Sequence, residues 1–281
     1  MRTTGLVLAA LWALGPAAVF AQQPGQETVS PDRPDVTNGA HLIAPGFVQI
    51  EAGAVHTRNS AADHAFGSPI AARIGVRNWV EVAVGTDGLL SQSTGQTRVT
   101  GFGNVQLAAK LRLMAASDGQ PLVSVLPAVM LPTASEEKGL GSGQADYTAT
   151  LLTGADVGEH GHVDVNYGIG AIGAGSGQGR FAQHLVSISG SVAVNEHANP
   201  YLEVFWLSKQ AFDGGAIGAT DAGVVYTISR RVAVDGGMQF GISHAAPAFA
   251  VFGGFSVLLG EHARVSPAAL SRPQQIRGGV E

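Results

Sequence analysis

The chain has 281 residues, no cysteine, 39 glycines and a net charge of −5. That balance provides no basic stripe to neutralise phosphates, which argues against nucleic acid as a partner, and without cysteines there is no disulfide framework. Beyond residue 21 no apolar run is long enough for a membrane helix, although mean hydropathy is slightly positive.

Residues 1–21 stand apart. Arg2 gives a positive start, Gly5 to Val19 form an apolar run, and Val19-Phe20-Ala21 is a small-residue cleavage pattern. This reads as a secretory signal peptide. The alternative is an N-terminal membrane anchor, which the shortness of the run and Gly15-Pro16 disfavour. Residues 22–45 follow as a periplasmic N-terminal segment. Asp32, Arg33 and Asp35 lie among prolines there, and mixed charges on a stiff chain suit a polar lumen. The segment is expected to be either a partial plug over Asp32 to Thr37 or a solvated linker.

From residue 46 to residue 259, strand-length segments alternate with turns that are long, short, long, short. Twelve segments centre near residues 52, 73, 82, 107, 126, 151, 167, 187, 203, 224, 237 and 253. Bacterial outer-membrane barrels have even strand numbers, short periplasmic turns and longer extracellular loops. The expectation is therefore an all-β fold, a transmembrane antiparallel β-barrel of about twelve strands, with both ends of the barrel sequence on the periplasmic side. Pro127 removes a ladder donor from the fifth segment and predicts a bulge or a shorter strand there.

Period-two alternation supports the same reading. Val105, Leu107, Ala109, Leu111 and Leu113 share one face, opposite Asn104, Gln106, Lys110 and Arg112. Val163, Val165, Tyr167 and Ile169 oppose Asp164 and Asn166. Tyr147, Tyr167, Trp206, Tyr226, Phe240 and Phe255 fall on the apolar parity, where interfacial girdles use aromatic rings. A soluble sandwich or propeller also alternates, but would need other protein to cover one face of each sheet.

The polar parity carries Glu51, Arg73, Arg77, Glu81, Lys110, Arg112, Asp146, Asp164, Glu203, Asp221 and Asp235. These are the expected lumen-lining residues. Basic residues dominate the second and fourth segments and acidic ones the sixth, seventh, ninth, tenth and eleventh, so closure in order predicts a basic wall facing an acidic one. Such charges either act on permeating solutes or brace the interior as ion pairs.

Catalytic, cofactor and metal motifs are weak. Gly168 to Gly173 matches a dinucleotide-binding glycine pattern, but a Gly/Ser loop and another strand follow where a helix belongs. His160 and His162 flank Gly161 in a predicted turn, which reads as solvated rather than metal-binding. Ser142 lies in no nucleophile elbow, and His184 and Ser187 fall on opposite strand faces. No catalytic residue, cofactor or metal is expected.

Several stretches, in order, resemble the "MetA-pathway of phenol degradation" family of transporters. They are Ser30 to Thr37, Gly46 to Gly53, Gly101 to Arg112, Leu131 to Thr133, Asn166 to Gly168, Tyr201 to Glu203, Asp221 to Gly223 and Gly253 to Ser256. The resemblance implies an outer-membrane channel or transporter for small, often aromatic or hydrophobic, solutes, exported through a cleaved signal peptide. Its partners would be outer-membrane lipid and a small-molecule solute, with the oligomeric state open. Members tend to end on an aromatic residue at the last strand; here residues 260–281 continue as a Pro-, Arg- and Gln-containing tail that reads as disordered. The alternatives are an outer-membrane lipid-modifying enzyme and a closed structural or interaction barrel.

Overall fold

The computed structural model describes residues 27–33, 36–60, 62–117, 119–175 and 178–260. The signal peptide expected over residues 1–21 and the tail beyond Gly260 lie outside the described residues, as do Pro34 and Asp35.

Fifteen strands follow one another: β1 Phe47–Arg58, β2 Asp63–Gly67, β3 Ile70–Arg77, β4 Val80–Thr86, β5 Leu89–Thr94, β6 Thr97–Phe102, β7 Val105–Met114, β8 Leu122–Leu131, β9 Asp146–Val157, β10 Gly161–Gly173, β11 Arg180–Val192, β12 Ala198–Leu207, β13 Ile217–Ser229, β14 Val232–Gly241 and β15 Phe249–Gly260. Twelve of them, β1, β3, β4 and β7 to β15, pair antiparallel with their neighbours in that order. β15 then pairs with β1 from Phe47–Gly260 to Arg58–Phe249, which closes the ring. Closure leaves no unpaired edge, the condition for strands to cross a bilayer.

The other three strands are not part of the ring. β2 pairs with the last four residues of β1, β5 with β2, and β6 with β5. They extend the wall past the ring at the long-loop rim, so two of the long links between ring strands are themselves paired. The chain bends at residues 68–69, 87–88 and 103–104 to pass from ring to extension. Gly88 makes the middle bend possible: its φ is 66°, and a Cβ there would overlap the Ser68 carbonyl.

Burial follows the parity. Leu107, Val165, Tyr167, Val186 and Trp206 are exposed on the outside, while Glu51, Arg73, Glu81, Lys110, Glu203 and Asp221 are buried inside. Of the outward aromatics, Tyr147, Trp206 and Phe240 lie within two residues of a strand end at the long-loop rim, and Tyr226 lies toward the opposite rim. Tyr167 and Phe255 sit near mid-strand, so the girdle is only partly filled.

Three register shifts mark the short-turn rim, at Gly75/Arg77, Arg112/Met114 and Thr227/Ser229. Bulges concentrate at barrel rims, where they steepen twist and end pairing. The β7–β8 ladder passes from Ala108–Ala128 to Leu111–Val125 without a shift. The pairs skipped are those opposite Leu126 and Pro127, so the proline interrupts the ladder and leaves strand length and register intact.

Candidate functional site

The site grows from the N-terminal segment. Val29 N donates to the Arg230 carbonyl at 2.8 Å, in the β13–β14 turn at the short-turn rim. The chain then climbs inside the ring. Val36 packs against Phe205, Ile217 and Ala219, close to the far rim. It descends past Ala40, whose carbonyl accepts from Ser124 Oγ, and reaches Ile43, whose N donates to Glu81 at 2.8 Å. Gly46 N bonds to Gly75 O, again at the short-turn rim, and β1 begins. The segment enters and leaves by one mouth. Val29, Ile43, Phe47, Ala233 and Leu258 form a small apolar cluster where the two limbs meet the wall.

Asp32 is the hub of its contacts. Its Oδ2 lies 2.7 Å from Lys110 Nζ and 3.3 Å from Arg73 Nε. Lys110 Nζ also donates to the carbonyls of Gly39 and His41 at 2.8 and 3.3 Å. Arg73 reaches Glu81 at 2.8 Å and Glu51 at 3.0 Å, and donates to the Ser30 carbonyl. Glu51 accepts from the backbone of Asp32 and Arg33 and from Gln49 Nε2. Burial opposes ionisation of Asp32, but the Arg73 and Lys110 cations outweigh it and hold the carboxyl below its ordinary pKa.

Two further anchors lie on β14, two strands from β1, and on β12, across the ring from the hub. Arg33 makes a two-pronged bond to Asp235, with both contacts at 3.1 Å. The guanidinium fits against Gly53 and Gly254, where any Cβ would overlap it. Glu203 accepts from Val36 N at 2.9 Å and from Thr37 Oγ1 at 2.7 Å. Asp221 lies directly opposite Glu203 in the β12–β13 ladder and is buried.

Asp146, Asp164 and Arg112 stand elsewhere on the inner wall. Asp146 accepts from Gly173 N at 2.7 Å near the long-loop rim. Asp164 lies 3.2 Å from His162 Nε2, and His162 Nδ1 lies 2.7 Å from Asp156. Arg112 is half-buried on the inner face, opposite Ser124.

Arg77 does not face inward: the bulge after Gly75 pairs it with Val80, an outward position, and it is exposed. One extra residue in a strand flips the parity of everything beyond it. The basic wall is also not bare. Glu51 and Glu81 flank Arg73 on neighbouring strands, and Asp32 lies between Arg73 and Lys110. Gln49 and Ser124 join the site as well; both stand on the polar parity of their strands, two residues from Glu51 and opposite Arg112.

His41 supplies a pH dependence. It is half-buried, and its Nε2 is shut off from solvent. Burial, with the Lys110 and Arg73 cations, pushes its pKa down from 6.5 to about 3. A released segment takes up a proton below 6.5, whereas a seated one does not until about 3. Seating is therefore unaffected above 6.5 and weakens as pH falls toward 3, by up to about tenfold per pH unit. Protection of the segment from a soluble label, followed from about pH 8 to about pH 4, across the upper part of this window, checks this; His41→Gln is expected to flatten the profile.

Outside, His184 Nδ1 meets the Tyr167 hydroxyl at 3.0 Å, while Ser187 is buried on the inner face.

Two solved structures resemble the fold. An outer membrane channel from Pseudomonas putida F1 superposes with a TM-score of 0.62 at 13% identity, over 80% of this chain and 100% of that one. The NanC porin superposes with a TM-score of 0.54 at 10% identity, over 75% of this chain and 98% of that one. At such identities the likeness is one of fold, that of an outer-membrane β-barrel. No curated protein matches the sequence. The family model described as "Putative MetA-pathway of phenol degradation" matches residues 31–259, from just before Asp32 to the end of the ring, and the chain belongs to that family.

Proposed function

We propose that the protein is an outer-membrane conduit for small solutes, with residues 29–43 acting as a plug in the resting state. One observation carries the reading: a closed ring apolar outside and charged inside, with a separate chain segment bonded across its interior. The fold-mates are named a channel and a porin, and the family name points to phenol degradation, so the solutes are small and aromatic or hydrophobic in class. Glu51, Arg73, Glu81, Lys110, Arg112, Asp146, Asp164, Glu203, Asp221 and Asp235 line the path, and most of them serve first to seat the plug. The protein's role is passage rather than catalysis.

Conductance in a planar bilayer tests this. Deleting residues 22–38 is expected to raise single-channel conductance severalfold, because Asp32, Arg33, Val36 and Thr37 all leave the ring interior (charge and bulk in a narrow pore act strongly on permeation). Unchanged conductance would show that the segment lines the path without closing it. No conductance from either form would reject the conduit.

A further inference from the structure

The outer wall carries a charge where the bilayer gives it no obvious partner. Arg180 opens β11 at the long-loop rim, and its guanidinium lies 5.1 Å from the centre of the Tyr147 ring. It donates to the Ala145 carbonyl and, at 3.4 Å, to that of Ala171. None of the ion pairs among the described residues involves it. The His184–Tyr167 pair farther down the same wall satisfies itself; the charge of Arg180 has no counter-ion among the described residues.

Beneath Arg180 the wall is hollow. Ala149, Ala171 and Ala182 stand on three adjacent strands and present only methyl groups. Tyr147, Ile169 and Arg180 rise around them, and the slot between them, open to the outside, measures about 560 Å³. It is a mostly apolar depression with a cation at its upper end. The long loops put that end at the outer surface of the membrane. A guanidinium is suited to phosphate oxygens, which accept its N–H groups in pairs.

We propose that this slot binds a phosphorylated lipid of the outer leaflet, of the lipid A type, with an acyl chain across Ala149, Ala171 and Ala182 and a phosphate on Arg180. The guanidinium lies near the Tyr147 ring and its Nη1 is taken by the Ala145 and Ala171 carbonyls, which among the described residues leaves Nε and Nη2 to donate to a phosphate. The apolar floor alone would accept any chain from the surrounding bilayer, so the selectivity resides in the charge. The site faces lipid and uses none of the residues that hold the plug, so it stands independently of the conduit.

The test uses the full barrel extracted from Gram-negative outer membranes in mild detergent, with native mass spectrometry reading the retained lipid. The wild type is expected to keep lipid A bound. Arg180→Gln is expected to lose about tenfold in retention, the equivalent of one charge-assisted hydrogen bond. Ala171→Trp, which fills the slot with an apolar ring and suits a lipid-facing position, is expected to lose as much, and Ala171→Leu serves if the larger ring disturbs folding. Delipidated protein reloaded with dephosphorylated lipid A is expected to bind it as weakly as the Arg180→Gln protein binds the intact lipid. Equal retention by all variants overturns the proposal. So does retention that depends on the slot but not on the phosphate, which identifies a plain apolar occupant. Disulfide-linked dimers formed by Ala182→Cys, with no lipid retained, would assign the face to a second copy of the chain.

Discussion

Replacing Asp32 by Asn is expected to unseat the N-terminal segment. Lys110 is only 1% exposed and has Asp32 as its one carboxylate partner within ion-pair distance among the described residues, so losing that charge strands a cation inside the ring. Removing one member of a buried ion pair costs about 3–5 kcal/mol. The Asp32 side chain is 14% exposed, and Arg73 keeps Glu51 and Glu81, so a loss near the lower end, about 3 kcal/mol, is expected. That corresponds to roughly a hundredfold shift toward the unseated form. The chain has no cysteine, so Asn38→Cys gives a clean probe of access. Its labelling by a soluble maleimide is expected to accelerate strongly in the Asp32→Asn background. A double replacement, Asp32→Leu with Lys110→Met, removes both charges and is expected to restore much of the protection, since apolar side chains of similar volume substitute well for buried ion pairs. Equal labelling with and without Asp32 would remove the hub from the account.

The second large effect concerns the outer face. Val165 lies on the outer parity of β10, 42% exposed to what is lipid in the membrane, between Thr153 and Ile188. Val165→Arg places a cation in hydrocarbon and is expected to destabilise the barrel by about 2–4 kcal/mol near the midplane. Leu107 faces the same way but is only the third residue of β7 from the long-loop rim, so Leu107→Arg is expected to cost less. Unfolding in urea from lipid vesicles measures both. A stability unchanged by Val165→Arg would contradict the assignment of this face to lipid.

Much of the barrel was legible in the sequence because a strand's two faces are written in alternate residues. The twelve ring strands fall on the twelve segment centres, and Leu107 and Lys110 face as their parity requires. Departures occur where a backbone event interrupts the alternation. The bulge after Gly75 turns Arg77 outward, and nothing in Val76-Arg77 itself announces an extra residue. β2, β5 and β6 fall in the long links and carry many polar residues; above the membrane both faces of a strand meet water, so alternation does not mark them. The interior was legible as a set of charges but not as a set of pairs. Arg33 and Asp235 lie far apart in sequence, and their meeting depends on the curvature of the closed wall. Composition hinted at a plug through Asp32 and Arg33, but gave no sign of His41, whose significance comes wholly from its neighbours.

The contacts of the N-terminal segment impose an order on assembly. Arg33 needs Asp235 on β14, Thr37 needs Glu203 on β12, and the segment also bonds to β1, β3, β4, β7 and β8. Partners so distant in sequence form late, because the chain between them must be placed first. The first part of the described chain thus finds its site only after nearly the last strands are in place. A barrel with the β1–β15 seam still open has Asp235 and Lys110 on a wall of the wrong curvature, and cannot hold both ends of the Asp32–Arg33 pair at once. Burial of these two residues therefore marks a finished ring, and their protection during refolding times the closing of the seam.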